Sequence, residues 1–400
     1  MSVDGAIVPP ERLRYAMREA AEAALSGSDL TRSAAFADEL DGVALLAMAR
    51  ILRRHGLFRH DGDRHGTQEV LDAVKAAPRH RRVVRRWLAA LVREGMLTRT
   101  DDGRFSGLAA ADGEALDRAA QKVREAGRAL GHGPEMARFL LDAIGHLPEL
   151  LRDEIALQAL LFPDGTMDTA DSTYRENTVS RYVNAMAAAA LREAAAQWGR
   201  RGPLRILEVG AGVGGTTIDM LPALAPHAER AEDGTSRIEY LFTDVSRFFL
   251  VSGRERLGDR PWIRYRLLDV NGDMAAQGYG PGSADVIVCA NVLHNARHIG
   301  RVLSGLRGLL TPGGLLVVIE TGREHYQIMT SMEFLMSPGP DDPDRDFEDF
   351  RRGLDRIFLT RAEWLRELAA AGFAPTVCLP GPDGPQARLG QYVFAATAPA

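Results

Sequence analysis

Four polar residues and one glycine turn have the types and spacing needed to bind a ligand. Asp244, Asp269, Asn291 and Glu320 each follow an apolar run, and a glycine-rich turn at residues 210–215 follows another such run. Glycine permits a sharp turn and lets a ligand lie directly against the backbone. Carboxylate and amide oxygens accept hydrogen bonds from hydroxyl and amino groups. These groups suit an adenosyl ligand, which offers a ribose diol, an adenine edge and an amino-acid tail.

Each group has a candidate role toward S-adenosylmethionine (SAM). We expect Asp244 to accept hydrogen bonds from the two ribose hydroxyls and Asp269 to accept one from the adenine amino group. Asn291 is expected to place a polar side chain beside the same ligand. Glu208, two residues before the first glycine, either fixes the turn or holds the amino end of the ligand. The glycines that leave room for the methionine portion are Gly210, Gly212 and Gly214.

The same turn satisfies the dinucleotide-binding pattern G-x-G-x-x-G through Gly210, Gly212 and Gly215. In dinucleotide-binding folds an acidic residue follows about 20 positions later. Asp244 follows Gly215 by 29 positions, and Glu208 precedes the turn. This spacing favours SAM over a dinucleotide.

Alternating apolar runs and helical patterns predict the elements that position these residues. The expected strands are 204–209, 238–243, 263–268, 284–289 and 315–319, with a late antiparallel pair near 374–380 and 390–397. Helices between them indicate an α/β fold: a doubly wound, Rossmann-like sheet of the class I SAM-dependent type, mostly parallel with an antiparallel last strand. Ligands bind at the carboxyl ends of such strands, so the strand-end residues should meet in one crevice.

The N-terminal part is expected to be helical and winged-helix-like, with a hairpin that turns at residues 102–103. We therefore predict three units: residues 1–135, a helical linker and lid at 136–200, and a SAM-binding domain at 201–400. Five arginines at 79–86 suggest either DNA binding or a solvated face of a lid or dimerisation unit. The net charge of −5 favours the second alternative, so we expect no nucleic-acid partner.

Composition narrows the class of protein further. The apolar fraction is 46%, yet no run approaches the about 18 apolar residues of a membrane span, so no membrane association is expected. No secretory signal is evident. Two cysteines, Cys289 and Cys378, argue against a disulfide framework or zinc cluster and suit a reducing cytoplasm.

Two further sets of residues have open interpretations. Tyr174 and Asn177 precede the first core strand and either close over the ligand or serve ordinary capping and packing. Methionines at 329, 332 and 336 either line a substrate pocket or pack in a core. Both alternatives stay open from the sequence alone.

Several stretches together resemble the C-methyltransferase domains of type I polyketide synthases and the related domains of nonribosomal peptide synthetases. They are 204–217 (LRILEVGAGVGGTT), 240–246 (YLFTDVS), 267–270 (LLDV), 290–297 (ANVLHNAR) and 310–321 (LTPGGLLVVIET), with 174–182 (YRENTVSRY) upstream. The resemblance implies SAM as co-substrate and a catalytic dyad that matches His294 and Glu320. Such a dyad can remove a proton alpha to a carbonyl group. His298 has no third ligand at suitable spacing, so no metal site is expected.

The sequence after Glu320 departs from the synthase pattern, which leaves the substrate open. No ketosynthase, reductase or carrier segment accompanies the chain, so we expect a free-standing enzyme whose acceptor is a small molecule, either free or presented on a separate carrier protein. O- or N-methylation could use the same dyad. A second hypothesis is a SAM cyclase that releases methylthioadenosine and makes a small-ring amino acid such as azetidine-2-carboxylate or 1-aminocyclopropane-1-carboxylate. By analogy with this fold, a homodimer is also expected.

Overall fold

The computed structural model describes residues 5–130, 134–163, 168–199, 202–228, 236–339, 341–342, 345–374 and 376–399. Its N-terminal half is mainly helical. The helices are α1 (Pro10–Leu25), α2 (Leu30–Arg54), α3 (Thr67–Ala73), α4 (Arg81–Arg93), α5 (Gly113–Ala129), α6 (Pro134–Gly145), α7 (Leu147–Leu151), α8 (Leu157–Leu161), α9 (Asp168–Tyr174) and α10 (Thr178–Gln197).

Three short strands form the wing expected from the sequence. They are β1 (Arg64–His65), β2 (Thr98–Arg99) and β3 (Phe105–Ser106), in the antiparallel order β1-β3-β2. The predicted hairpin joins β2 to β3, and Gly103 in its turn has φ +79°. This conformation suits glycine because it has no Cβ. The predicted hairpin within a helical N-terminal part is confirmed.

The arginine-rich segment belongs largely to α4, which packs inward. Trp87 and Arg86 are fully buried, and the Arg82 guanidinium lies 4.9 Å from the centre of the Phe347 ring. Arg79, just before the helix, lies 3.7 Å from Asp153. The segment is therefore not the open basic face that DNA binding would use, although the absence of a nucleic-acid partner stays a prediction.

A seven-stranded sheet dominates the C-terminal half. Its strands are β4 (Leu204–Val209), β5 (Ile238–Asp244), β6 (Ile263–Leu267), β7 (Ala284–Ala290), β8 (Leu310–Thr321), β9 (Thr376–Leu379) and β10 (Gln391–Thr397). The order is β6-β5-β4-β7-β8-β10-β9; the first five are parallel, and β10 is antiparallel to both neighbours. The doubly wound class I methyltransferase fold is confirmed.

Helices cover both faces of this sheet. The remaining helices are α11 (Gly215–Leu224), α12 (Arg247–Leu257), α13 (Ile299–Leu309), α14 (Tyr326–Met329), α15 (Glu333–Met336) and α16 (Arg361–Ala370). Along β4, Leu204 and Ile206 join the core beneath α1, α10 and α11, whereas Leu207 and Val209 join the core beneath α13 and α16. This alternation follows from the period of two residues in a strand.

Two details differ from the sequence expectation or add to it. β8 begins at Leu310 rather than 315, and its pairing with β7 shifts register between Ala284 and Val286. The residues between the two pairings include Pro312, Gly313 and Gly314. The first helix, α1, packs against α10 in the core of the sheet domain. The boundaries predicted at 135 and 200 stay predictions.

Within the described ranges, every helix is too short or too polar to cross a membrane.

Candidate functional site

The glycine turn after β4 has the backbone shape that a close-lying ligand needs. Gly210, Gly212 and Gly214 have φ of +63°, +56° and +74°, values that other residues rarely adopt. A Cβ at Gly210 would lie 2.3 Å from Val292 Cγ2, whereas a Cβ at Gly212 would meet nothing within 4 Å. The turn is thus packed against the loop after β7 on one side and open at Gly212.

Asp244 joins the end of β5 to this turn. Its Oδ2 accepts a hydrogen bond from the Gly212 N–H at 3.0 Å, and its Oδ1 accepts one from the Ser246 N–H at 2.8 Å. Burial raises the pKa of this carboxyl. Each carboxylate oxygen has more than one lone pair, so both can still accept from a ribose diol. The open backbone at Gly212 and the adjacent carboxylate therefore fit SAM.

Glu208 lies inside the fold beneath the turn. Its side chain is 1% exposed, and Oε2 accepts hydrogen bonds from the Thr217 hydroxyl at 2.7 Å and the Tyr240 hydroxyl at 2.8 Å. These bonds tie β4 to α11 and β5, which favours the interpretation that Glu208 fixes the turn. Burial raises the pKa of Glu208 to about 7, while its two hydroxyl donors oppose this effect.

The raised pKa of Glu208 predicts that the stability of the protein depends on pH. The substitution Glu208→Gln should remove this dependence. The folded-state pKa of about 7 lies above the unfolded value of 4.5, so the contribution of Glu208 is complete below the lower value and is lost as pH rises through the higher one. As pH rises from the lower to the higher pKa value, the free energy of unfolding of the wild-type protein is expected to fall by about 3 kcal/mol. Glutamine still accepts both hydroxyl bonds.

Urea denaturation at pH 5 and pH 8 measures the effect. We expect the wild-type protein to lose more unfolding free energy than Glu208→Gln between these pH values. Glu239→Gln, which changes an exposed glutamate on β5, is the control and should behave as the wild type does. Equal pH dependence in wild type and Glu208→Gln would contradict the prediction.

Asp269 and Asn291 lie at the same edge of the sheet. The Leu268 N–H donates to the Asp244 carbonyl at 3.0 Å, so the chain brings Asp269 next to Asp244. Asp269 is exposed, and its Oδ1 accepts from the Asn271 N–H at 2.9 Å. Asn291 has φ +51°. Their contacts with SAM stay predictions.

Tyr174 lies beside the glycine turn, whereas Asn177 lies at the start of α10. A Cβ at Gly215 would lie 3.3 Å from Tyr174 Cβ, which places this tyrosine on the start of α11. Burial raises the pKa of Tyr174 to about 12, so its hydroxyl stays protonated at neutral pH. Asn177 caps α10, and its Oδ1 accepts from the Ser180 N–H at 2.8 Å. The structure thus shows a capping role for Asn177, and ligand contact by either residue stays a prediction.

His294 and Glu320 lie in direct contact. His294 Nδ1 is 2.9 Å from Glu320 Oε2, and the His294 N–H donates to Glu320 Oε1 at 3.1 Å. Both side chains are buried, with exposures of 3% and 0%. His298, four residues later, caps α13 by accepting from the Arg301 N–H. The structure therefore brings together the two residues that the family resemblance selects.

Known proteins share this architecture. Residues 207–316 match a family described as a methyltransferase domain. The chain is 32% identical to pyochelin synthetase PchF of Pseudomonas aeruginosa over 378 residues, 91% of this chain and 19% of that protein. It is 40% identical to polyketide synthase ThaQ of Burkholderia thailandensis over 176 residues, 43% of this chain and 8% of that protein. It resembles the solved DszA carbon methyltransferase with a TM-score of 0.81 and 26% identity, over 100% of this chain and 99% of that one.

The chain is a SAM-dependent methyltransferase. The resemblance to the methyltransferase regions of polyketide synthases and nonribosomal peptide synthetases is confirmed, as is SAM as co-substrate. This methyltransferase spans about a fifth of the pyochelin synthetase that it matches and a smaller share of the polyketide synthase.

Three residues near the dyad, Arg351, Asp349 and Phe358, were not identified from the sequence of the methyltransferase. Arg351 is fully buried, and its guanidinium donates to the carbonyl oxygens of His294 at 2.9 Å and Ala296 at 2.6 Å. Asp349 pairs with the same guanidinium at 2.6 Å. The Phe358 ring lies 5.0 Å from the His294 ring, centre to centre. A buried arginine in an acidic loop leaves no pattern in the sequence.

The methionines after β8 mainly serve packing. Met329 is 1% exposed and belongs to the core of the helical part. Met336 packs against the cluster that contains Phe358. Met332 alone among the three contacts a predicted ligand residue, because the Tyr174 hydroxyl lies 3.8 Å from its sulfur. Met332 also packs against the core of the helical part, so all three methionines pack, and a role of any of them in a substrate pocket stays a prediction.

Proposed function

We propose that this methyltransferase methylates carbon alpha to a carbonyl group in a small acyl or amino-acid-derived substrate of polyketide or nonribosomal peptide biosynthesis. The 2.9 Å contact between His294 Nδ1 and Glu320 Oε2 carries the proposal. A carboxylate at Nδ1 keeps the proton on that nitrogen and leaves Nε2 as the base. The names of the relatives, a synthetase, a polyketide synthase and a carbon methyltransferase, support carbon as the acceptor atom.

Each residue of the dyad has a defined part in this reaction. His294 Nε2 takes the proton from the alpha carbon, and the electron pair moves into the substrate as an enolate. Glu320 stabilises the imidazolium that forms, as carboxylates do in comparable pairs. SAM, when bound, would supply an electrophilic methyl group: the enolate carbon would bond to it as the sulfur–methyl bond breaks, and S-adenosylhomocysteine would leave. Asn295 Nδ2 lies 3.2 Å from Nε2 and must release this nitrogen before the substrate proton reaches it.

The acceptor is proposed to arrive as a thioester on a separate carrier protein. A thioester makes the alpha proton more acidic, which suits a histidine base. The support is indirect: the chain matches segments of much longer synthetase proteins. A free acyl or amino-acid-derived molecule is the other candidate form of the acceptor.

The test uses SAM with a ¹³C-labelled methyl group and a β-ketoacyl thioester of N-acetylcysteamine, which imitates the end of a carrier arm. Carbon methylation predicts a product whose labelled methyl group couples to an aliphatic CH in NMR. A labelled methyl group on oxygen or nitrogen would overturn carbon as the acceptor. His294→Gln is the matched variant and should form far less of the product.

A further inference from the structure

A buried arginine of the helical part contacts the segment that follows Glu320. Arg86 on α4 is fully buried and forms ion pairs with Glu324 and Glu333. Beside it, Trp87 Nε1 donates to the Met329 carbonyl at 2.9 Å. The helical part therefore holds the chain at several points directly after β8.

Glu324 connects this arginine to a second loop. Its Oε2 contacts Arg86, while its Oε1 accepts hydrogen bonds from the N–H groups of Ile357 at 2.9 Å and Phe358 at 3.2 Å. One carboxylate thus joins α4 to the backbone that carries Phe358. Glu333 also pairs with Arg86, but no hydrogen bond to residues 357 and 358 is seen for it among the described residues.

Phe358 brings this connection to the dyad. Its side chain is 3% exposed, and its ring is tilted by 58° against the His294 ring at 5.0 Å between centres. A close-packed interior transmits a displacement of one side chain to its neighbours. Loss of the Glu324 contacts should therefore displace the Phe358 ring, against which the His294 imidazole packs.

We propose that Arg86 and Glu324 are positioning residues through which the helical part of the chain holds Phe358 against His294. This proposal rests on the proposed role of His294 as the base. It means that the helical part completes the methyl-transfer site. Burial lowers the pKa of Arg86, but the two carboxylates outweigh this effect and raise the pKa above its ordinary value. The guanidinium therefore stays charged, as its pairing with Glu324 requires.

The test compares the two glutamates that share Arg86. The full chain is labelled with ¹³C at Cε1 of its ten histidines, and the His294 signal is assigned by its loss in His294→Gln. Because an aromatic ring shifts the resonances of nuclei close to it, this signal reports the place of Phe358. Turnover and the KM for SAM are measured on the same samples.

Glu324→Ala is expected to move the His294 signal and to lower kcat about tenfold or more, with the KM for SAM unchanged. Glu324→Gln retains an oxygen that can accept from Ile357 and Phe358, so it should recover most of the signal position and of the rate. Glu333→Ala, the matched control for Glu324→Ala, should leave the His294 signal in place. If Glu324→Ala fails to fold, Phe358→Leu takes its place and should also move the signal.

An unmoved His294 signal in the folded Glu324→Ala or Phe358→Leu protein would overturn the proposal. An equal movement in Glu333→Ala would overturn the assignment to Glu324, because Glu333→Ala also removes a carboxylate from Arg86 but leaves the bonds of Glu324 to Ile357 and Phe358 intact. A moved signal with unchanged kcat would support the positioning of Phe358 but contradict the catalytic role of His294. The failure of this inference and the failure of the proposed function are thus distinguishable.

Discussion

Replacing His294 by glutamine is expected to lower methyl-transfer turnover about 10²–10⁴-fold. Glutamine fills most of the space of the ring but cannot take a proton from carbon. SAM affinity should change little, because we assign SAM binding to the glycine turn and Asp244. Turnover is measured as formation of S-adenosylhomocysteine with the thioester acceptor, and SAM affinity is measured by calorimetry.

His298→Gln is the matched control for this variant. His298 lies in the same loop and caps α13, and we place it outside the reaction, so its variant should keep wild-type turnover. If His294→Gln retained more than about a tenth of wild-type turnover, its role as the general base would be contradicted.

Replacing Arg351 by methionine is expected to lower the free energy of unfolding by about 3–5 kcal/mol. Methionine keeps part of the side-chain volume but leaves the Asp349 carboxylate without its guanidinium. It also removes the donors to the His294 and Ala296 carbonyl oxygens. Urea denaturation followed by circular dichroism measures the loss.

Two further variants make this test specific. Arg352→Met changes the adjacent exposed arginine and should cost less than about 1 kcal/mol. Adding Asp349→Asn to Arg351→Met should recover part of the loss, because it removes the uncompensated buried charge. A loss in Arg351→Met as small as that in Arg352→Met would contradict a structural role for the buried pair.

The sheet and the glycine turn were predictable because they depend on local patterns. Apolar runs separated by helical segments predicted the strands from β4 to β8. The glycines at 210, 212 and 214 indicated a sharp turn, and in the structure all three have positive φ. Asp244 was identified because it ends a strand next to that turn, and the chain pairs it with Gly212.

The surroundings of the dyad were not predictable, since they depend on contacts between distant parts of the chain. Arg351 contacts His294 from 57 positions away, and Arg86 contacts Glu324 from 238 positions away. Arginines in a charged segment usually lie in solvent, and only the folded chain shows that these two are buried. The capping role of Asn177 was an open alternative that needed the backbone geometry of α10.

The most direct test of methyl transfer is to incubate the purified chain with SAM and no other substrate, and to identify the released nucleoside by mass spectrometry. We expect SAM to remain intact and S-adenosylhomocysteine to form only after the β-ketoacyl thioester is added. Release of methylthioadenosine together with a small-ring amino acid would contradict methyl transfer and would establish a SAM cyclase.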